Sequence, residues 1–106
     1  MKYRDIETLP QVSQLKLDLI AAKALIANEK HWCQGQLMRG VSSFCSLGAI
    51  HWVVDGTMTF PNSHRFFEAV SALHHATQIY EGVSYFNDNH THAEVMAVFD
   101  KAIARA

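Results

Sequence analysis

Ser43-Phe44-Cys45-Ser46-Leu47-Gly48-Ala49-Ile50-His51-Trp52-Val53-Val54 is the stretch that decides how this chain reads. Ser42 or Ser43 can cap a helix here, and Asp55-Gly56 can end it with a glycine in the left-handed conformation. Wound at about 100° per residue, Phe44, Cys45, Leu47, Ala49, Ile50, Trp52, Val53 and Val54 leave no polar face. A helix apolar all round belongs inside a domain, so this one is expected to be the buried centre of the fold. Gly48 weakens helix propensity, and its expected purpose is close contact with another backbone.

Three further helices are expected around that centre. The first spans residues 9–28, with Thr8 as cap, Pro10 in the permissive first turn and Gln11 at the capping-box position. Val12, Leu15, Leu19, Ala22 and Ile26 fall on one stripe, while Leu17, Ile20, Ala21 and Ala24 form a second stripe on the opposite side. A helix apolar on two faces is either buried beneath its neighbours or shared with a partner, and a small domain has few elements to cover both. The second stripe is therefore assigned to a homo-oligomer interface. A third helix starts from Asn62 or Ser63 and reaches Tyr80, ended by Glu81-Gly82. Its main stripe is Phe66, Val70, Leu73, Thr77 and Tyr80; His64, Glu68, Ser71, His75 and Gln78 are solvated. The last helix opens on a T-x-x-E capping box, Thr91 with Glu94, and buries Val95, Val98, Phe99, Ala102 and Ile103. Residues 57–60 and 83–86 read as two very short extended segments, and Asn87-Asp88-Asn89 as turn chemistry. The expectation is a mainly all-α single domain, residues 1–106, with an amino-terminal arm at 1–8.

Composition agrees with this reading. The chain has 106 residues, 49% of them hydrophobic, and only two prolines and five glycines interrupt it. That length suits one core, and the apolar share argues against disorder. A formal net charge of −1 without a Lys/Arg cluster argues against a nucleic-acid partner, since phosphate neutralisation needs a basic face. The longest apolar stretch, 44–54, is too short to span a membrane and carries His51 in its middle. Asp5 and Glu7 beside Lys2 and Arg4 do not make a signal-peptide layout, so a cytoplasmic location is expected. There Cys33 and Cys45 should be reduced thiols. Their spacing permits a disulfide, and without a C-x-x-C they fall short of a structural zinc site.

Seven histidines are the most unusual feature of the composition. His64, Glu68 and His75 share one face of the third helix, and with His90 from the following loop they make a chemically reasonable transition-metal set. The pattern lacks H-E-x-x-H, and solvated histidines are the simpler reading. His51 sits alone in an apolar helix, either as a neutral core histidine or as a pH-sensitive group beside Asp55 or Asp88. Cys45 stands near a helix start, where the dipole favours thiolate, so a Cys45–His51–Asp88 nucleophilic set can be written. Asn87 and Asp88 lie just before the last helix, where they either order the turn or contact a ligand or partner; Trp32 joins them as a candidate contact. Trp32, Trp52, Phe60, Phe66, Phe67, Tyr80, Tyr85 and Phe86 read as core, or as the lining of an apolar pocket.

The order Trp32-Cys33-Gln34-Gly35, Cys45-Ser46-Leu47-Gly48-Ala49-Ile50, Phe86-Asn87-Asp88, Thr91 with Glu94-Val95, and Asp100-Lys101-Ala102-Ile103 resembles a family of short bacterial and bacteriophage proteins of unassigned function. The resemblance covers residues 25–106. Phe86 stands where that family usually has tryptophan, and the connection from Gly35 to Cys45 is short. With no activity assigned to the family, the resemblance implies no catalytic residue. The expected function is a non-enzymatic binding or accessory module that acts as a homo-oligomer and recognises a protein partner. The alternative is a metal- or small-molecule-binding protein, an enzyme included, with its site among the histidines and Asn87-Asp88.

Overall fold

Ser13 sets the start of the first helix, its hydroxyl accepting the Lys16 N–H at 3.0 Å. The computed structural model describes residues 12–56 and 63–106. Those residues are mainly helical: α1 (Gln14–Ile26), a 3-10 turn (Glu29–His31), β1 (Met38–Arg39), β2 (Ser43–Phe44), α2 (Ser46–Asp55), α3 (His64–Thr77), α4 (Val83–Asn89) and α5 (His92–Arg105). The arm at 1–8, the start foreseen at Thr8, Pro10 and Gln11, and the segment 57–60 with Phe60 lie outside the described residues.

α1 packs chiefly on α2, with α5 and α3 against its remaining inner side. Leu19, Ala22 and Ile26 are fully buried, whereas Val12 is exposed. Asp18 is buried with them. Its carboxylate takes both the Arg65 Nη2 at 2.6 Å and the Arg65 Nε at 3.1 Å, a two-pronged pairing that ties α1 to α3. Gln14 Nε2 adds a third donor at 2.9 Å. A buried carboxylate is tolerated only when it is paired in this way. Asp18 stands one helical turn from Ala22 on the apolar stripe, which is the signal that sequence reading passed over.

α2 begins three residues later than expected. Phe44 and Ser43 are extended and pair antiparallel with Met38 and Arg39. The Phe44 carbonyl accepts Cys33 N–H at 3.0 Å and Cys45 N–H donates to the Leu37 carbonyl at 3.1 Å. Starting the helix at Ser43 would leave that loop backbone without partners, a cost that outweighs helix propensity. The cap is the Cys45 Sγ, which accepts Gly48 N–H at 3.3 Å. Gly56 closes the helix at φ 69°, in the left-handed conformation expected of it. Ser46, Gly48, Ala49, Ile50 and His51 are buried, but Trp52 is 41% exposed and leans on Phe44. The helix therefore does present one side outward.

α3 follows the expected pattern through Leu73, then stops at Thr77 rather than Tyr80. The Thr77 hydroxyl donates to the His74 carbonyl at 2.6 Å, and Gln78 turns left-handed at φ 59°. Tyr80 is consequently exposed. Residues 83–86 belong to α4, not to a strand. Val83, Phe86 and Asn87 are buried; that i, i+3, i+4 spacing suits a helix face and cannot occupy one face of a strand. The foreseen turn Asn87-Asp88-Asn89 is α4's last turn. α5 carries the full capping box. The Thr91 N–H holds the Glu94 carboxyl below the ordinary carboxylate range. That help to the helix start is present at neutral pH and is lost as pH falls through the lowered pKa.

Gly48 earns its place by contact: a Cβ there would run into the Leu37 carbonyl, a backbone group. Gly48→Ala is expected to lower stability by about 1–3 kcal/mol, as overpacking does. Urea unfolding measures it, and an unchanged midpoint would show that the Leu37 loop gives way freely.

Candidate functional site

Asn87 is completely buried, and α4 places it between the 32–35 loop and the start of α2. Its Oδ1 accepts the Trp32 indole N–H at 2.7 Å, the Ser46 backbone N–H at 2.9 Å and the Ser46 hydroxyl at 2.8 Å. Its Nδ2 donates to the Cys33 carbonyl and to Asp88 Oδ1, both at 3.0 Å. Asp88 Oδ1 also takes the Gly35 N–H at 2.9 Å. Gln34 Nε2 completes the corner by donating to the Asn87 and His90 carbonyls. A carboxamide has two N–H bonds and two lone pairs, so Asn87 has nothing left for a ligand, and the Trp32 indole N–H is equally committed. These two organise the corner. Asp88 is exposed, as are Gln34 and Gly35, and lies on the rim of a cavity of about 210 Å³ that Cys45 and Ser84 also line.

The thiols are quieter than the helix dipole suggested. Cys33 and Cys45 are both free and buried. Burial pushes the Cys45 thiol up, more than the Gly48 N–H draws it down. Burial raises Cys33 as well, partly offset by Arg39. The carboxylate beside His51 is Asp55, with 3.8 Å between Nδ1 and Oδ2, and the imidazole packs on Phe66. Asp88 is instead tied to Gly35 and Asn87, so Cys45, His51 and Asp88 do not assemble as a nucleophilic set.

Several histidines serve the backbone. His74 Nε2 meets the Ile79 carbonyl at 3.1 Å, His90 Nδ1 the Phe86 carbonyl at 2.9 Å, and His92 Nε2 the Ile26 carbonyl at 2.7 Å. A carbonyl only accepts, so each of those ring nitrogens carries a proton and is lost to metal ligation. His90 also stacks flat on Phe86, ring centroids 3.7 Å apart. His64 and Glu68 lie 3.8 Å apart and share with His75 an open groove of about 490 Å³, which Phe67 and Arg105 also line. Among the described residues no three His, Cys, Asp or Glu side chains come together as a metal site, so the set with His90 does not form. Of the aromatics, Trp32, Phe66 and Phe86 are core, while Trp52, Phe67, Tyr80 and Tyr85 are exposed.

The remaining candidate is the outward face of α1. Leu17, Ile20, Ala21 and Ala24 are all exposed, Leu17 by 48% and Ile20 by 44%. Residues three and four apart adjoin on a helix, so they form one continuous strip. None of the exposed residues from Val12 to Asn28 is charged. Of the helix's three charges, Asp18 is buried, Lys16 is half-buried, and Lys23 pairs with Asp100 at 2.6 Å. A helix facing water ordinarily shows the reverse. Among the described residues no helix is long and apolar enough to cross a membrane.

Asn87→Ala strands the Trp32 N–H, the Ser46 N–H and the Cys33 carbonyl, each costing about 1–3 kcal/mol when buried without a partner; denaturant unfolding should show a loss of several kcal/mol, and a loss below about 1 kcal/mol would deny the corner its structural role. Iodoacetamide at pH 8 should leave Cys33 and Cys45 unmodified in the folded protein and label both in denaturant, as mass spectrometry reads directly.

No curated protein and no solved structure matches this chain significantly. One family model matches residues 11–105, nearly the whole chain. The chain belongs to that family, described as a family of unknown function (DUF6197).

Proposed function

We propose that this protein is a non-catalytic binding or accessory module that acts as a homo-oligomer, with the outward face of α1 as its contact surface. The observation that carries this reading is the exposed, uncharged strip of Leu17, Ile20, Ala21 and Ala24. Single exposed apolar residues need no explanation, but a contiguous strip free of charge is what interfaces present. A second copy of the chain offers the same strip, which is the requirement of a two-fold contact. We take the module to work in the cytoplasm, with both thiols reduced. The motif order from Trp32 to Ile103 favours a bacterial or bacteriophage origin.

A second reading rests on the groove beside His64, Glu68 and His75, whose mixed apolar and polar lining suits a small molecule. Native mass spectrometry on untagged protein separates the two, since one spectrum reports subunit count and retained mass. A multimer without added mass supports the first reading. A monomer carrying a stoichiometric ion or organic mass overturns it. Leu17→Glu combined with Ala24→Glu is expected to give a folded monomer by circular dichroism and light scattering; an oligomer that survives both changes uses another face.

A further inference from the structure

We infer that the two copies of α1 cross antiparallel about a two-fold axis, a geometry that rests on the self-association proposed above. Ser13, Leu17, Ile20, Ala24 and Ala27 are exposed and follow one another at steps of four, three, four and three residues. That is the seam of a left-handed helix pair, in which side chains of one helix fill holes between those of its partner. Here the seam points away from the core that α1 already serves through Leu19, Ala22 and Ile26.

The sizes along the seam fix the direction. Its amino-terminal half carries the bulk, Leu17 and Ile20, and its carboxyl-terminal half is small, Ala24 and Ala27. A parallel partner would set Leu17 on Leu17 and Ala24 on Ala24, forcing the helices apart at one end and leaving a void at the other. Packing at interior density tolerates neither. Reversing the partner sets Leu17 against Ala27 and Ile20 against Ala24, so each of these layers holds one large and one small residue, while Ser13 falls at the end of the seam beyond the partner's helix. On the flank, Lys23 is already held by Asp100 on α5, and the half-buried Lys16 on the same side is the one cation the partner must accommodate, at the edge of the seam where a long side chain reaches solvent.

Cysteine pairing tests the direction, with Leu17→Cys and Ala27→Cys made separately and oxidised glutathione as oxidant. Native mass spectrometry comes first, so that loss of the dimer itself is read apart from loss of its orientation. Both sites are exposed, so each variant should keep the wild-type circular dichroism spectrum. Wild type should stay uncross-linked because its own thiols are buried. The two variants refolded together should yield a disulfide-linked dimer as the main species on a non-reducing gel, while each alone remains monomeric on that gel. Efficient linking of Leu17→Cys to itself would establish a parallel pair and overturn the inference. A dimer by mass that links in no combination would place the contact on another face and overturn it equally. A monomeric wild type would remove the parent reading and this one together.

Discussion

The side-chain amide of Asn87 is the contact on which the rest of this molecule depends. It satisfies an indole, the first backbone amide of α2 and a loop carbonyl at once. Without it the residues between α1 and α2 would rest on a few backbone bonds of their own, since the two-residue strands of the β-ribbon are too short to hold themselves. Fixing that loop in turn presents the Leu37 carbonyl to Gly48 and sets where α2 may begin. A buried polar network of this kind is rigid because every member is partnered. The same completeness leaves the Asn87 amide and the Trp32 indole N–H with no hydrogen bond to spare for a ligand, and leaves Asp88 as the corner's exposed carboxylate.

α1 inverts the usual polarity of a surface helix. Its carboxylate points inward to Arg65 and its largest exposed aliphatics point outward. The inward carboxylate gives α1 a fixed rotation about its axis, because only one orientation lets Asp18 reach the guanidinium. With that rotation fixed, Leu17 and Ile20 cannot roll under the domain to hide. The ion pair and the exposed strip are two sides of one constraint, and the family membership adds no activity that would explain the strip otherwise.

Legibility in the sequence followed the physics of each signal. The helices announced by period, and α5 by its Thr91–Glu94 box, were readable because those cues are local. The apolar second stripe of α1 was readable for the same reason, and it is the stripe that lies exposed. The misreadings came where distant residues decide. α2 starts at Ser46 because Cys33 and Leu37 claim the backbone before it, and α4 is a helix because Asn87 must turn inward beside Phe86. The metal set is reasonable by spacing along α3, but among the described residues the fold does not bring His90 together with His64, Glu68 and His75, a fact that only the fold supplies. Asp18 was overlooked although its place on the apolar stripe marked it; its partner lies 47 residues away.

Those separations also bear on how the fold is reached. Trp32 and Asn87 are 55 residues apart, Ser46 and Asn87 are 41 apart, and His92 reaches back 66 residues to Ile26. Closing such loops costs entropy before any contact repays it. Synthesis proceeds from the amino terminus, so α1, the ribbon and α2 leave the ribosome before the residue that will order them exists. Helix formation can run ahead locally, but the corner closes only when α4 arrives. The molecule is thus completed from its carboxyl-terminal end, and a nascent chain halted before Asn87 would display an unsatisfied Trp32 indole and an open α2 start to the cell's quality-control machinery.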